Sequence, residues 1–151
     1  MQRLLIVLAV LLLGALPAQA TDFKWQDQAG KTHSLAEYRG KAVVLHLWAS
    51  WCPPCRSEMP ELADWLKKHP NVTFIPVSLD SRSQDAVDFL QQQHISLPVL
   101  VSDESQAYGV GARGLPTTVA VDASGKIRHL WLGVQDWQSP AWNQELLSDL
   151  R

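Results

Sequence analysis

Cysteine is nearly absent from this chain: Cys52 and Cys55 are the only two in 151 residues. A zinc site of the usual kind wants four ligands, and there is no second CxxC or close His pair to complete one. Covalent haem attachment needs His directly after the second cysteine, where this chain has Arg56. Basic residues are not in excess either. Thirteen Lys and Arg stand against fifteen Asp and Glu, a formal charge of −2 with no basic stripe for nucleic acid. Linkers, repeats and low-complexity blocks are missing, so nothing marks a second domain. Gln91-Gln92-Gln93 reads as the solvated face of a helix. A long membrane span is missing too. The apolar run Leu4 to Leu16 reaches about 20 Å as a helix, against a hydrocarbon core of about 30 Å.

That run has the marks of an export signal. Arg3 precedes it, and Ala18-Gln19-Ala20 follows as a small-x-small cleavage pattern. Residues 1–20 are therefore expected to be a cleaved signal peptide and 21–151 one domain, placed in the periplasm. The alternative is an uncleaved anchor holding the same domain at the inner membrane, facing the periplasm. No Cys follows the run, so a lipoprotein is not expected. In an oxidising compartment the two cysteines form a disulfide unless something reduces them.

Strand and helix patterns alternate along the remainder. Phe23 to Leu35 reads as a hairpin turning at Asp27-Gln28-Ala29-Gly30-Lys31, followed by a helical turn from Ser34 to Arg39 stopped at Gly40. Lys41 to Trp48 is a buried strand. A helix runs from the cysteines to Lys68, with Pro60 expected to kink it. Val72 to Leu79 is a second strand, its ladder expected to break at Pro76, which has no amide to donate. Asp85 to Gln93 is a helix, Leu97 to Val101 a short strand and Glu104 to Tyr108 a short helix. Thr117 to Val121 and Ile127 to Leu132 form a hairpin around Gly125, and Ala141 to Leu150 closes the chain as a helix. The expected class is α/β, a central mixed sheet flanked by helices on both faces.

The chemistry lies in Trp51-Cys52-Pro53-Pro54-Cys55. A disulfide closing so short a loop restricts the unfolded chain little, so a structural staple is a poor reading. At a helix start the N–H groups and the helix dipole favour thiolate, the reactive form. Cys52 is thus the exposed nucleophile that attacks a substrate disulfide. Cys55, one turn in and more buried, resolves the mixed disulfide. Neither Pro53 nor Pro54 has an amide hydrogen, leaving the Cys52 sulfur mainly the amide of Cys55. A less stabilised thiolate makes a less oxidising disulfide, which favours a reductase or isomerase over an oxidant.

The run from Val44 to Pro60 around the cysteines, together with Gly114-Leu115-Pro116-Thr117-Thr118, resembles the thioredoxin superfamily, in its exported TlpA/ResA/CcmG (DsbE)-like branch. The resemblance covers nearly all of 21–151. It implies a thioredoxin-like fold with an N-terminal β-hairpin and a TlpA-type insertion from about Asp80 to Tyr108. It implies a cis peptide before Pro116, facing the CxxC loop, where a trans proline opening a strand is the plainer alternative. Trp51, Pro53, Pro54, Leu115 and Pro116 would form the substrate surface. ResA-like members place an acid three residues after the second cysteine to handle thiol protons, a position held here by Glu58; its other reading is a helix-dipole partner. Where thioredoxin carries a buried Asp, and many TlpA-like proteins an Asn, this chain has His46. It either takes the Cys55 proton or is a buried neutral His held by hydrogen bonds.

The implied activity is protein-disulfide reduction through a Cys52–Cys55 dithiol cycle, with apocytochrome c as one candidate substrate. A membrane thiol reductant of the DsbD/CcdA type would supply electrons, and the expectation is a monomer without cofactor or metal. The rivals are a net oxidant that introduces disulfides and a Sco-like copper-binding module. Sco sites use CxxxC with a distant His, and His129 has no obvious matching context. A peroxidase is less favoured, because the Thr expected three residues before a lone peroxidatic Cys is missing.

Overall fold

The computed structural model describes residues 22–151; the expected signal segment lies outside the described residues. Two short strands, β1 (Lys24–Gln26) and β2 (Thr32–Ser34), form the N-terminal hairpin and lead into a 3-10 turn, Leu35–Tyr38. Then come β3 (Val43–Trp48), α1 (Pro53–Lys68), β4 (Thr73–Ser78), α2 (Ser83–Gln92), β5 (Leu100–Val101) and α3 (Glu104–Gly109). The chain ends with β6 (Thr117–Val121), β7 (Ile127–Leu132) and α4 (Pro140–Asp149). The strands make one mixed seven-stranded sheet, ordered β2-β1-β5-β4-β3-β6-β7. The parallel pairs are β3 with β4 and β4 with β5.

Every residue of β3 is buried, because both faces of the sheet are covered. Alternation along the strand sends Val44 and Trp48 toward one core and Val43, Leu45 and Leu47 toward the other. The first core packs under α1, α2 and α4 through Met59, Leu62, Phe89 and Leu146. The second packs under the hairpin, the 3-10 turn and α3 through Phe23, Trp25, Leu35 and Ala107. Trp65, Trp137 and Trp142 are all buried, with Trp137 and Trp142 meeting edge-on at 5.5 Å.

Two expectations change. Pro76 does not break its strand: the register of β4 on β3 runs through His46↔Pro76 to Trp48↔Ser78. What begins only after the proline is pairing to the other neighbour, at Val77↔Leu100. The segment expected as a strand from Leu97 is a two-residue strand, Leu100–Val101. The peptide bond before Pro116 is cis.

Candidate active site

The cysteines sit where β3 and β4 end and β6 begins. Cys52 caps α1 with extended backbone (φ −93°, ψ 107°), and Pro53 and Pro54 open the helix, where their missing N–H groups cost it nothing. Cys52 and Cys55 are joined by a disulfide. The Cys55 amide donates to the Cys52 sulfur at 3.3 Å.

The two sulfurs differ in access, though not as the sequence implies. Cys55 is fully buried and Cys52 is only 5% exposed, so the open nucleophile expected at position 52 is not found in the disulfide form. The disulfide turns its sulfur toward Cys55, while Trp51, which is 62% exposed, and Pro53 stand beside it. Cys52 alone of the two borders a hollow of about 300 Å³. Of the residues expected to meet substrate, Trp51, Pro53 and Leu115 line this hollow, whereas the exposed Pro54 and the buried Pro116 do not. Leu79, Tyr108 and Arg113 are among its other walls. They come from the end of β4, from α3 and from the segment before Pro116, and no sequence pattern marked them.

The loop carrying Trp51 is tied down from β4. Asp80, itself buried, accepts from the Ser50 amide at 2.9 Å and from the Ser50 hydroxyl at 2.7 Å. Its Oδ2 also accepts from the Ser78 hydroxyl at 2.6 Å. Asp80 was not singled out by the sequence, since an Asp closing a strand looks like ordinary turn chemistry.

Behind the cysteines lies a buried polar pair. Glu58 is in the second turn of α1, 2% exposed, which removes it from the helix end and from a simple dipole role. Its Oε1 accepts from the Gln135 amide at 2.9 Å and the Trp137 indole at 2.8 Å. Its Oε2 faces His46 Nε2 at 3.5 Å. His46 is fully buried, and its Nδ1 shares a 3.0 Å hydrogen bond with Thr118 Oγ1. Burial pushes the Glu58 carboxyl up to about 7 against the downward pull of those two donors, and pushes His46 down to about 3. The contact is therefore no salt bridge near neutral pH, because His46 is uncharged. The sequence offered these two residues as separate proton handlers; the fold makes them neighbours. Among the described residues, no three His, Cys, Asp or Glu side chains gather to hold a metal ion.

Comparison with known proteins agrees with this geometry. Residues 17–130 match the AhpC/TSA family. The thiol–disulfide oxidoreductase ResA of Geobacillus thermodenitrificans is 32% identical over 124 residues, spanning 79% of this chain and 70% of that protein. A Chlorobium tepidum structure assigned as the thiol:disulfide interchange protein DsbE superposes with a TM-score of 0.74 at 29% identity, covering 87% of this chain and 95% of its own. A second Chlorobium tepidum structure, a thiol:disulfide interchange protein of the thioredoxin family, gives 0.70 at 26% identity over 91% and 99% of the two chains.

Proposed function

The chain belongs to the AhpC/TSA family and is a thiol–disulfide oxidoreductase of the ResA and DsbE type, and we propose that it reduces disulfides of exported proteins. The observation that carries the reading is the asymmetry of the Cys52–Cys55 pair: Cys52 borders a mostly apolar hollow and Cys55 is fully buried and does not. In this scheme the reduced Cys52 thiolate attacks one sulfur of a substrate disulfide, and the other substrate sulfur leaves as a thiolate. Cys55 then passes its proton to Glu58 and attacks Cys52 Sγ. The Cys52–Cys55 bond forms, the bond to substrate breaks, and two electrons have moved to the substrate.

One feature supports reduction over oxidation. The Cys52 sulfur receives the single amide of Cys55, with proline at the next two positions, and a thiolate so lightly stabilised goes with a reducing couple. The leader-like residues 1–20 support export, with residues 21–151 as the working domain in the periplasm. A membrane thiol reductant of the DsbD/CcdA kind would regenerate the dithiol, and the apocytochrome c cysteines are one substrate to try. Pro116 would border the docking strand.

Trapping tests this reading. A Cys55→Ser variant is expected to accumulate mixed disulfides through Cys52, and Cys52→Ser to accumulate none. In the reduced wild type Cys52 is expected to be alkylated well ahead of Cys55. Trapping by the opposite variant, or equal alkylation rates, refutes the assignment. A reduction potential as high as that of the strong periplasmic oxidants, about −120 mV, refutes the reductase direction.

A further inference from the structure

Among the described residues three buried side-chain polar atoms lack a hydrogen-bond partner, and two of them, His46 Nε2 and Glu58 Oε2, face each other at 3.5 Å, the third being Trp142 Nε1. A buried carboxyl that gains and loses a proton needs a neighbour able to meet both of its forms. Protonated, it must find an acceptor; ionised, it must find a donor. A neutral imidazole offers either at Nε2, provided its single ring proton can change nitrogen, and this requires that Nδ1 also have a partner of either kind. The Thr118 hydroxyl at 3.0 Å is such a partner, because it can donate or accept.

We propose that His46, backed by Thr118, is a tautomer switch that supports Glu58 in both protonation states. With Glu58 protonated, its O–H points to a bare Nε2 while Nδ1–H donates to Thr118. With Glu58 ionised, Nε2–H donates to the carboxylate and the Thr118 hydroxyl donates to Nδ1. The inference rests on the proposed thiol exchange for its purpose: the proton that leaves Cys55 as it attacks Cys52 arrives on Glu58, and His46 reorganises to hold it there. His46 is a positioning residue, and it stays uncharged throughout.

The surroundings leave these groups to set the behaviour. Cys55 lies on the same helix one turn earlier; burial is what chiefly pushes Glu58 up, and the charge of Glu61 adds a smaller push in the same direction. From β4 comes Phe74, its ring 5.9 Å from that of His46. From β6 comes Thr118, and after β7 come Gln135 and Trp137, none of them ionisable over this range.

The test uses the oxidised full-length wild type and needs no substrate, so an enzyme inactive on protein disulfides would refute the proposed function without touching this result. Nitrogen NMR of labelled His46 is followed with pH alongside the infrared band of the protonated carboxyl, assigned by its loss in Glu58→Gln. The expected result is a ring proton on Nδ1 at low pH and on Nε2 at high pH, crossing over with the same midpoint as the carboxyl band, about 7. Thr118→Val, which keeps the strand's shape, is expected to lower that midpoint, because Nδ1–H then has no acceptor. A single His46 tautomer throughout, a midpoint that differs from that of the carboxyl, or a Thr118→Val midpoint equal to wild type would each overturn the proposal.

Discussion

His46 and Glu58 give opposite pH dependences to stability, and the signs follow from burial. Glu58 is raised from 4.5 to about 7, so its favourable contribution is complete below about 4.5 and is lost as pH rises through about 7. His46 is lowered from 6.5 to about 3, so its contribution is present above about 6.5 and is lost as pH falls toward about 3. Between about 4.5 and 6.5 the two slopes oppose each other. Glu58→Gln should therefore gain stability relative to wild type as pH rises, by up to about 3 kcal/mol, with the advantage vanishing toward pH 4.5. Urea unfolding across that range checks it, and a difference that does not grow with pH would remove Glu58 as a buried acid. His46→Asn should mainly flatten the loss of stability on the acid side. The same carboxyl bears on function: with its charge removed, Glu58→Gln should lower both thiol pKa values and flatten the pH profile of insulin reduction. The chemistry of each residue was visible in the sequence, but not their contact. Every position of β3 is apolar or buried, so no alternation told which face His46 occupies.

At the scale of elements, the pattern reading came within a residue or two for most strands and helices, because turn residues such as Gly30 and Gly125 punctuate the chain. It failed where tertiary context decides. The Pro76 amide that cannot donate leaves the register on β3 intact, and only two residues of the Leu97–Val101 stretch reach β4. It also passed over Asp80, which joins the end of β4 to the loop ahead of Cys52 through Ser50 and Ser78. Asp80→Ala leaves two hydroxyls and an amide without their acceptor. A loss of about 2 kcal/mol is expected, with Asp80→Asn milder because its carbonyl oxygen still accepts. The sharper reading is local: amide exchange at Ser50, whose N–H donates to Asp80, should quicken in Asp80→Ala well before the global unfolding limit. If exchange there stays at the wild-type rate, the loop is held by something other than Asp80.

Only the whole molecule assembles the hollow beside Cys52. Its walls come from the CxxC loop, from the end of β4, from α3 and from the segment before Pro116, four stretches brought together at one end of the sheet. The catalytic pair could be read from seventeen residues of sequence, yet only part of this surface could, through Trp51, Pro53 and Leu115, since Leu79 and Tyr108 look like any other apolar positions in the chain. Trp51 and Tyr108 are both more than half exposed, so removing either ring spares the core. Both residues line the hollow, and large aromatic surfaces of this kind are where a bound polypeptide gains contact area at little cost in side-chain freedom. If protein substrates dock there, Trp51→Ala and Tyr108→Ala should each lower kcat/KM toward a protein disulfide by about five- to thirtyfold, the equivalent of about 1–2 kcal/mol. Their rates with a small disulfide that reaches only the Cys52 sulfur should stay near wild type. Equal losses on both substrates would mean that the rings tune the reactivity of Cys52 itself, and the hollow would then have no part in choosing the substrate.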